Sequence, residues 1–535
     1  MNPALLFAVT FVLAPAAAPA RPAGASDPAP LAQLGVTLQV TQRPAWPAAP
    51  GTSVDVTLLL QTDPGMHVAS FGVPFGPGVL TDDRELRVLG ADGQEIPAWT
   101  RPLAHWWIDG KKGTIRSVLV QVACGFLDAK PRKVRLVWGR ARQRSRPKET
   151  PVAETQFARL WEPPRPAAGF ADTFEYRCPK VLAVLPPEWL CASLLVWQQV
   201  PAGRNKVAAW FDKHLVERFD ASLRYVSANA RAYEAHLFDR PATYVKVYAR
   251  HGAAKHLLAA IQAGDFYIRH LREDGFFDLK RYKDVKYVYT EGPALLYLLT
   301  GDERYRQAVD RAMKAWATHR RIEYTGRGFW TERHHGFGML AYLHAYELAG
   351  EPKHLAKARR FFEAAYAMQV KPADGKGPDG AWVHTGSSHG DGSGWTTSPW
   401  MSAFLADAIW KYWMLSGDDR CPASLAMYAK FIARHAVTPD AKGVYYMANS
   451  PGRGKSANAE SPPHNVEAVY LLAMGWWLSG GRDAELRKPI ETLWPPVMTD
   501  GANRPGRKFN WRFRETSMLV WLLAEGERLR AAPGR

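Results

Sequence analysis

Between Leu34 and Trp138 apolar and polar residues alternate with a period of two. Val36 to Val40, Val54 to Leu58, Leu86 to Leu89, Ser117 to Val122 and Val134 to Val137 each fit a strand, with turn residues between them at Asp63-Pro64-Gly65, Gly76-Pro77-Gly78, Asp92-Gly93 and Asp109-Gly110. Short strands with close turns predict a small antiparallel β-barrel or sandwich over residues 34–140. From about Arg204 the period becomes 3.6. Met401, Phe404, Leu405, Ala408, Ile409 and Tyr412 are spaced 0, 3, 4, 7, 8 and 11, and Val466, Val469, Tyr470, Ala473, Met474 and Trp477 repeat that spacing. The apolar helices end alike, at Leu299-Thr300-Gly301-Asp302, Leu348-Ala349-Gly350-Glu351, Leu415-Ser416-Gly417-Asp418 and Leu478-Ser479-Gly480-Gly481. Each glycine suits the left-handed position just past a helix, and more polar helices follow, such as Arg304 to His319 and Lys353 to Met368.

The unit is an internal repeat: buried helix, glycine turn, amphipathic helix, long loop. Buried helices start near Tyr244, Thr290, His334, Pro399, His464 and Arg514. Six such hairpins predict an (α/α)6 toroid over residues 204–535, closed by packing of the last helix on Lys206 to Arg218. An open α-solenoid is the alternative, and the long, unequal loops argue against it. Residues 141–203, rich in Pro and Arg, read as a connector between the two regions.

A chain of 535 residues is long enough for two or more cores, and 47% apolar with 22% charged residues excludes wholesale disorder. The 21 Trp, beside 20 Tyr and 22 Phe, exceed what cores usually need and suggest stacking surfaces. A net charge of +18 points to an anionic partner. Four cysteines exclude a disulfide-dense scaffold and a multi-cysteine zinc array. Cys178 and Cys191 bracket a short run and would close a loop worth about 3 kcal/mol if bonded. The start of the chain reads as a signal peptide over residues 1–20, with an apolar run from Ala4 to Leu13 and a cleavage site at Ala18-Pro19-Ala20, followed by a Pro/Ala-rich linker over 21–33. The expected location is therefore periplasmic or secreted. No later apolar run reaches the about 18 residues that a membrane span needs. Export and the buried helical repeat also argue against a nucleic-acid partner.

In a toroid the loops before the inner helices open on one face. Those loops carry Tyr287-Val288-Tyr289-Thr290-Glu291, Phe329 to His335, Trp382-Val383-His384, Ser387 to Trp395, Ser461 to Asn465 and Phe509 to Glu515. One chemical flavour at equivalent repeat positions suits a charged sugar chain, which offers apolar ring faces and carboxylates. Trp330, Trp395 and Trp511 are the sugar platforms expected here, with Glu291, Arg333, His389, Asn465 and Arg514 as further binding residues. His334 and His335 stand about 100° apart on a helix, so one at most faces a reacting atom. His384 and His389 on a Gly/Ser loop invite a metal, yet no third ligand has diagnostic spacing, so neither metal nor cofactor is called for.

A uronate-specific lyase must neutralise a carboxylate, remove the proton beside it and expel the linked sugar. Arg333, Arg512, Arg514 and Asn465 are the expected neutralising groups, His334, His335 or His464 the expected base, and Tyr289 the acid or a tyrosinate base. A glycoside hydrolase on the same toroid would instead need two carboxyl groups, for which Glu291, Glu332, Asp391, Glu467 and Glu515 are available. A non-catalytic glycan-binding protein would keep the Trp and Arg residues and tolerate loss of every His. Cations and imidazoles outnumber acids in the loops, which favours the lyase.

The N-terminal strands carry an ordered series: Phe71-Gly72-Val73-Pro74-Phe75-Gly76-Pro77-Gly78-Val79-Leu80, then Asp92-Gly93-Gln94-Glu95-Ile96-Pro97, then Trp107-Ile108-Asp109-Gly110 and Ile115-Arg116-Ser117. It resembles the small N-terminal barrel of exo-rhamnogalacturonan lyase-like proteins, which also place an α/α toroid C-terminally. Lys111 to Thr114 replace that family's serine after the Asp-Gly, and Ser117 its tryptophan. The resemblance implies architecture and polysaccharide lyase activity; it assigns no catalytic residue here.

Overall fold

A computed structural model describes residues 28–144, 160–162, 165–166, 175–205, 208–319, 321–323, 330–389, 394–460, 464–499 and 507–532. The expected leader, Phe329, Asp391 and Ser461 to Pro463 lie outside the described residues. A short helix, α1 (Pro28–Gln33), precedes the strands β1 (Ser53–Leu60), β2 (Gly65–Pro74), β3 (Arg87–Leu89), β4 (Glu95–Ile96), β5 (Ala98–Ile108), β6 (Lys111–Phe126) and β7 (Arg132–Val137). The 141–203 stretch adds a two-stranded pair, β8 (Arg165–Pro166) with β9 (Glu175–Tyr176), and an edge strand β10 (Val181–Val184). Two antiparallel sheets result, ordered β10-β1-β7-β3-β4 and β2-β6-β5. Val54, Val56 and Leu58 of β1 are buried while Asp55 is exposed, as the period of two requires. In β6 the run from Ile115 to Val122 is buried on both faces, because the helical region packs on one of them. Cys178 and Cys191, whose bonding the sequence left open, keep separate thiols, with the Cys191 Sγ donating to the Ala249 carbonyl at 3.5 Å.

After α2 (Pro187–Ala192) and α3 (Ala208–Ala228), helices alternate between an inner and an outer layer. The inner ones are α4 (Arg240–His251), α6 (Glu291–Thr300), α8 (Glu332–Ala349), α10 (Pro399–Ser416), α12 (Asn465–Leu478) and α14 (Arg507–Glu515). Their outer partners are α5 (Ala254–Arg269), α7 (Glu303–Ala317), α9 (Pro352–Val370), α11 (Arg420–Phe431) and α13 (Ala484–Thr499), with α3 serving α14. The ring closes. Phe513 of α14 meets Phe211 of α3 at 5.3 Å, and Lys246 Nζ of α4 donates to the Arg514 carbonyl at 3.1 Å. The last inner helix is broken at Thr516–Met518, and its continuation α15 (Leu519–Ala531) packs Trp521 on Trp477 at 5.3 Å.

The repeated glycines have a second role. Gly301, Gly350, Gly417 and Gly480 have φ near +67° to +69°, which glycine adopts without strain. A helix leaves its last carbonyls without partners, and here the N-terminal region supplies them. Ser117 Oγ donates to the Leu298 carbonyl at 2.7 Å, the Asp109 amide to Leu415 at 2.8 Å, Arg43 to Met414 at 3.0 Å, and the Gln39 and Val40 amides to Leu478 at 2.9 and 3.0 Å. A side chain at Gly350 would collide with Trp107. The β region thus plugs the C-terminal end of the inner ring, leaving the N-terminal ends as the mouth. Among the described residues no helix is long and apolar enough to cross a membrane.

Candidate active site

The mouth is built from residues just before and within the first turns of the inner helices. Pro399 at the first position of α10 sets Trp400 at the ring's edge. Phe238, at φ +71°, lies 6.1 Å from Trp400 and 5.2 Å from Trp511, and the two indoles are 5.4 Å apart. His464 stacks on Trp400 at 4.9 Å and 14°. These rings form an apolar floor with polar edges, a surface suited to a sugar face.

Arg333 stands over this floor, its guanidinium 5.6 Å from the Trp400 ring and 5.8 Å from Phe238. It is half-buried, its Nε has no hydrogen-bond partner among the described residues, and no carboxylate there forms an ion pair with it. Burial pulls its pKa down, with Tyr446 and Tyr289 opposing. A desolvated cation without an ion-paired carboxylate is costly, and such a position suits an anionic group.

Beside it, two small hairpins meet: β11 (His384–Thr385) with β12 (Trp395–Thr396), and β13 (Val444–Met447) with β14 (Ala457–Glu460). The first brings His389, whose Nε2 is 3.0 Å from the Tyr446 hydroxyl on the second. Burial and then the Arg333 charge press the His389 pKa down to about 4, so the ring is neutral at ordinary pH. His384 holds this turn in place. It bridges Glu332 Oε1 at 2.9 Å and the His389 carbonyl at 2.9 Å, so it is engaged by a buried carboxylate rather than offered to a metal. Burial opposes the charge on His384, but Glu332 outweighs it and raises the pKa. Glu332 is held in turn by the Thr397 hydroxyl at 2.9 Å and the Ser398 amide at 3.2 Å.

His334 lies flat on Trp330 at 3.9 Å and 4°, with Nδ1 2.6 Å from the hydroxyl of Thr331, the N-cap of α8. Burial, then the Arg333 charge, holds it well below 6.5 and therefore neutral. His464 Nδ1 lies 3.8 Å from Glu467 Oε2; neither that nitrogen nor either Glu467 oxygen has a hydrogen-bond partner among the described residues. Trp395 is half-buried on its hairpin at the rim.

Other residues expected at the mouth are engaged elsewhere. His335, next to His334 but turned about 100° around the helix, is buried against α9 with Nε2 2.7 Å from the Phe361 carbonyl. Tyr289 is no acid or base here: its hydroxyl donates to the Lys286 carbonyl at 2.6 Å and accepts from the Phe238 amide at 2.8 Å, and burial raises it well above 10. It pegs the left-handed backbone of Phe238. Glu291 is paired inside the ring with Lys246 at 3.1 Å and Arg514 at 2.6 Å, and Arg514 also pairs with Glu515. Both are therefore lost to the substrate. Asn465 is buried and donates to the Lys442 carbonyl at 2.9 Å, tying a loop to α12. Arg512 is buried on the α3 side, where its charge helps depress His214.

Tyr446, Phe238, Trp400 and the Glu332–His384 pair escaped the sequence reading. A strand signal was present for Tyr446: Val444-Tyr445-Tyr446-Met447 after Gly443 is a β pattern inside a helical region.

No protein-family model and no curated protein matches the sequence. Among solved structures, the chain is similar to an unsaturated glucuronyl hydrolase from Bacillus sp. GL1, at 15% identity and TM-score 0.39 over 52% of this chain and 84% of that one. It is similar to a glycosyl hydrolase family 88 protein from Bacteroides vulgatus, at 15% and 0.41 over 60% and 99%. A polysaccharide lyase stands at 12% and 0.41 over 56% and 92%. At these scores the likenesses carry no argument, and the N-terminal resemblance to exo-rhamnogalacturonan lyase-like proteins gains nothing from them.

Proposed function

We propose that this protein is an exported polysaccharide lyase that cleaves a uronate-containing glycan by β-elimination. The observation that carries the reading is Arg333, a desolvated guanidinium without a counter-ion on an aromatic floor, beside neutral imidazoles. A uronate carboxylate would pair with it, and neutralising that carboxylate acidifies the C5 proton. Burial holds His389 down first and the Arg333 charge second; the same pairing would offset the Arg333 part, so substrate binding would raise the basicity of the imidazole.

In the elimination, Tyr446 takes the C5 proton as its own proton passes to His389 Nε2. The C5–H electron pair forms the C4–C5 double bond, and the C4–O bond breaks. The departing oxygen takes a proton from Tyr446, which is reloaded from His389, so both return to their starting states. Trp400, Phe238 and Trp511 would carry the sugar face, and His464 and His334 would line its polar edge. The acids a hydrolase would need are mostly committed: Glu291 and Glu332 are in buried ion pairs, and Glu515 is enclosed against Arg514.

The test is ultraviolet absorbance of the unsaturated uronyl end while purified protein meets a panel of uronate polysaccharides. A rise is expected. New reducing ends without it would move the reaction to hydrolysis, with Glu467 as the first carboxylate to mutate, and binding without either signal would leave a glycan-binding protein.

A further inference from the structure

Outside the mouth, beyond Trp330, lies a second cavity of about 680 Å³, within the roughly 300–1,000 Å³ typical of ligand sites. Trp330 is the shared wall: its ring stacks on His334 of the mouth at 3.9 Å and on His319 of the cavity at 5.8 Å, and it lines the cavity with Phe276. Two cations reach in. Arg321 lies 5.8 Å from the Trp330 ring and Lys283 lies 5.4 Å from Phe276, and no carboxylate lines the cavity among the described residues. Lys283 does meet Asp274 at 3.0 Å, but Asp274 also binds Arg272 at 3.1 Å, so the local balance stays positive. His319 on the wall has an Nε2 without a partner among the described residues.

The cavity continues into a basic loop. Lys280, Arg281, Lys283 and Lys286 fall within seven residues, with Tyr282 68% exposed under the Arg281 guanidinium at 5.4 Å. Lys286 lies close enough to the mouth for its charge to act on both His334 and His389. The loop that gives Lys283 to the cavity therefore also carries a charge that acts on the mouth. Lys283 and Lys286 each meet a carboxylate, Asp274 at 3.0 Å and Asp284 at 3.1 Å. Arg281 and Arg321, however, lie against aromatic rings with no ion pair among the described residues, and a polyanionic chain leaving the mouth would meet them and the exposed Tyr282.

We propose that this cavity and loop form a second binding site that grips the anionic chain beyond the point of cleavage, by a sugar bearing a carboxylate or a sulfate. The proposal rests on the reading of the substrate as an anionic glycan, and it adds that long chains are held better than short ones.

The experiment compares the protein with a Lys283→Ala/Arg321→Ala variant, both in a Tyr446→Phe background so that bound chains stay intact. Both altered side chains are on the surface, so folding is checked by an unchanged melting curve. Affinity is measured by calorimetry for a galacturonate dimer and hexamer, and for a heparin-derived hexasaccharide. Two exposed charge contacts predict a loss of about tenfold in hexamer affinity, with the dimer unaffected. Loss for both hexamers assigns the site to either anion, and loss for the heparin fragment alone assigns it to sulfate. Hexamer affinities within twofold of each other in the two proteins, or no preference for hexamer over dimer in the unaltered one, would overturn the proposal. If no polysaccharide is cleaved while the hexamer loss is found, elimination fails and the binding site stands.

Discussion

Two arginines on opposite sides of a phenylalanine layer in the inner ring are built in opposite ways. Arg514 lies on the axis and is buried among acids: Glu291 at 2.6 Å, Asp407 at 3.9 Å and Glu515. Farther down, Glu347 binds Lys411 at 3.0 Å and takes Arg116 from the β region. Arg333 lies above, against aromatic rings, and no carboxylate among the described residues forms an ion pair with it, Asp284 acting only at a distance. A layer of phenylalanines separates the two: Phe238 stacks on Phe404 at 5.3 Å, Phe404 meets Phe337 at 4.8 Å, and Arg514 lies 5.2 Å beyond Phe337. Buried charge demands a partner. On the axis the protein supplies the partner and the charge becomes structure; at the mouth no ion-paired carboxylate is supplied among the described residues, and under the proposed function that place is the ligand's.

Alanine at each arginine breaks the comparison most directly. Arg514→Ala strands Glu291 and Glu515 in the interior and is expected to cost about 3–5 kcal/mol of stability, read as a large fall in denaturation midpoint. Arg333→Ala is expected to leave that midpoint in place while kcat/KM on a cleaved uronate polymer falls about 100-fold or more. It should also move the His389 titration, followed by NMR, up from about 4 toward 6.5. If Arg333→Ala unfolds the protein and Arg514→Ala does not, the two roles are reversed.

This difference was half legible in the sequence. The toroid followed from two physical regularities, the 3.6 period of Met401 to Tyr412 and the glycines that follow four of the inner helices, both of which are local. The mouth loops were legible as a set because toroid geometry gathers them. Which arginine is paired was not legible, because Arg333, Arg512 and Arg514 look alike in composition and their partners lie on helices far away in sequence. Nor could spacing show that Thr290 to Glu291 start their helix deep enough for Glu291 to meet Lys246. Tyr446 reaches His389 across 57 residues through two hairpins, a pairing that register alone decides.

A smaller effect separates the two regions by pH. Burial raises the Glu515 carboxyl to about 8, although Arg514 opposes this. The proton it keeps when folded is lost on unfolding, so its contribution falls away as pH rises from about 4.5 through 8. The buried imidazoles of His236 and His335 act the other way, since both are held near 3 and take up a proton on unfolding below 6.5. The melting temperature should therefore peak near neutrality and decline on both sides. Glu515→Gln should flatten the alkaline decline and leave the acid one. An alkaline limb unchanged by that substitution would show that the axis does not set it.

The smallest expected effect falls on Tyr289, which belongs to the mouth by position and to the scaffold by its bonds. Its hydroxyl accepts from the Phe238 amide and donates to the Lys286 carbonyl, so both ends are occupied. Tyr289→Phe removes the acceptor and leaves a buried amide unbonded beneath a residue whose φ is +71°, at a cost of about 1–3 kcal/mol. The aromatic floor should loosen with it, raising KM severalfold while kcat holds. A steep fall in kcat at constant KM would mean that the phenol leaves its two partners to meet the substrate. The peg would then be a reacting group, and the line between mouth and scaffold would run below it rather than above.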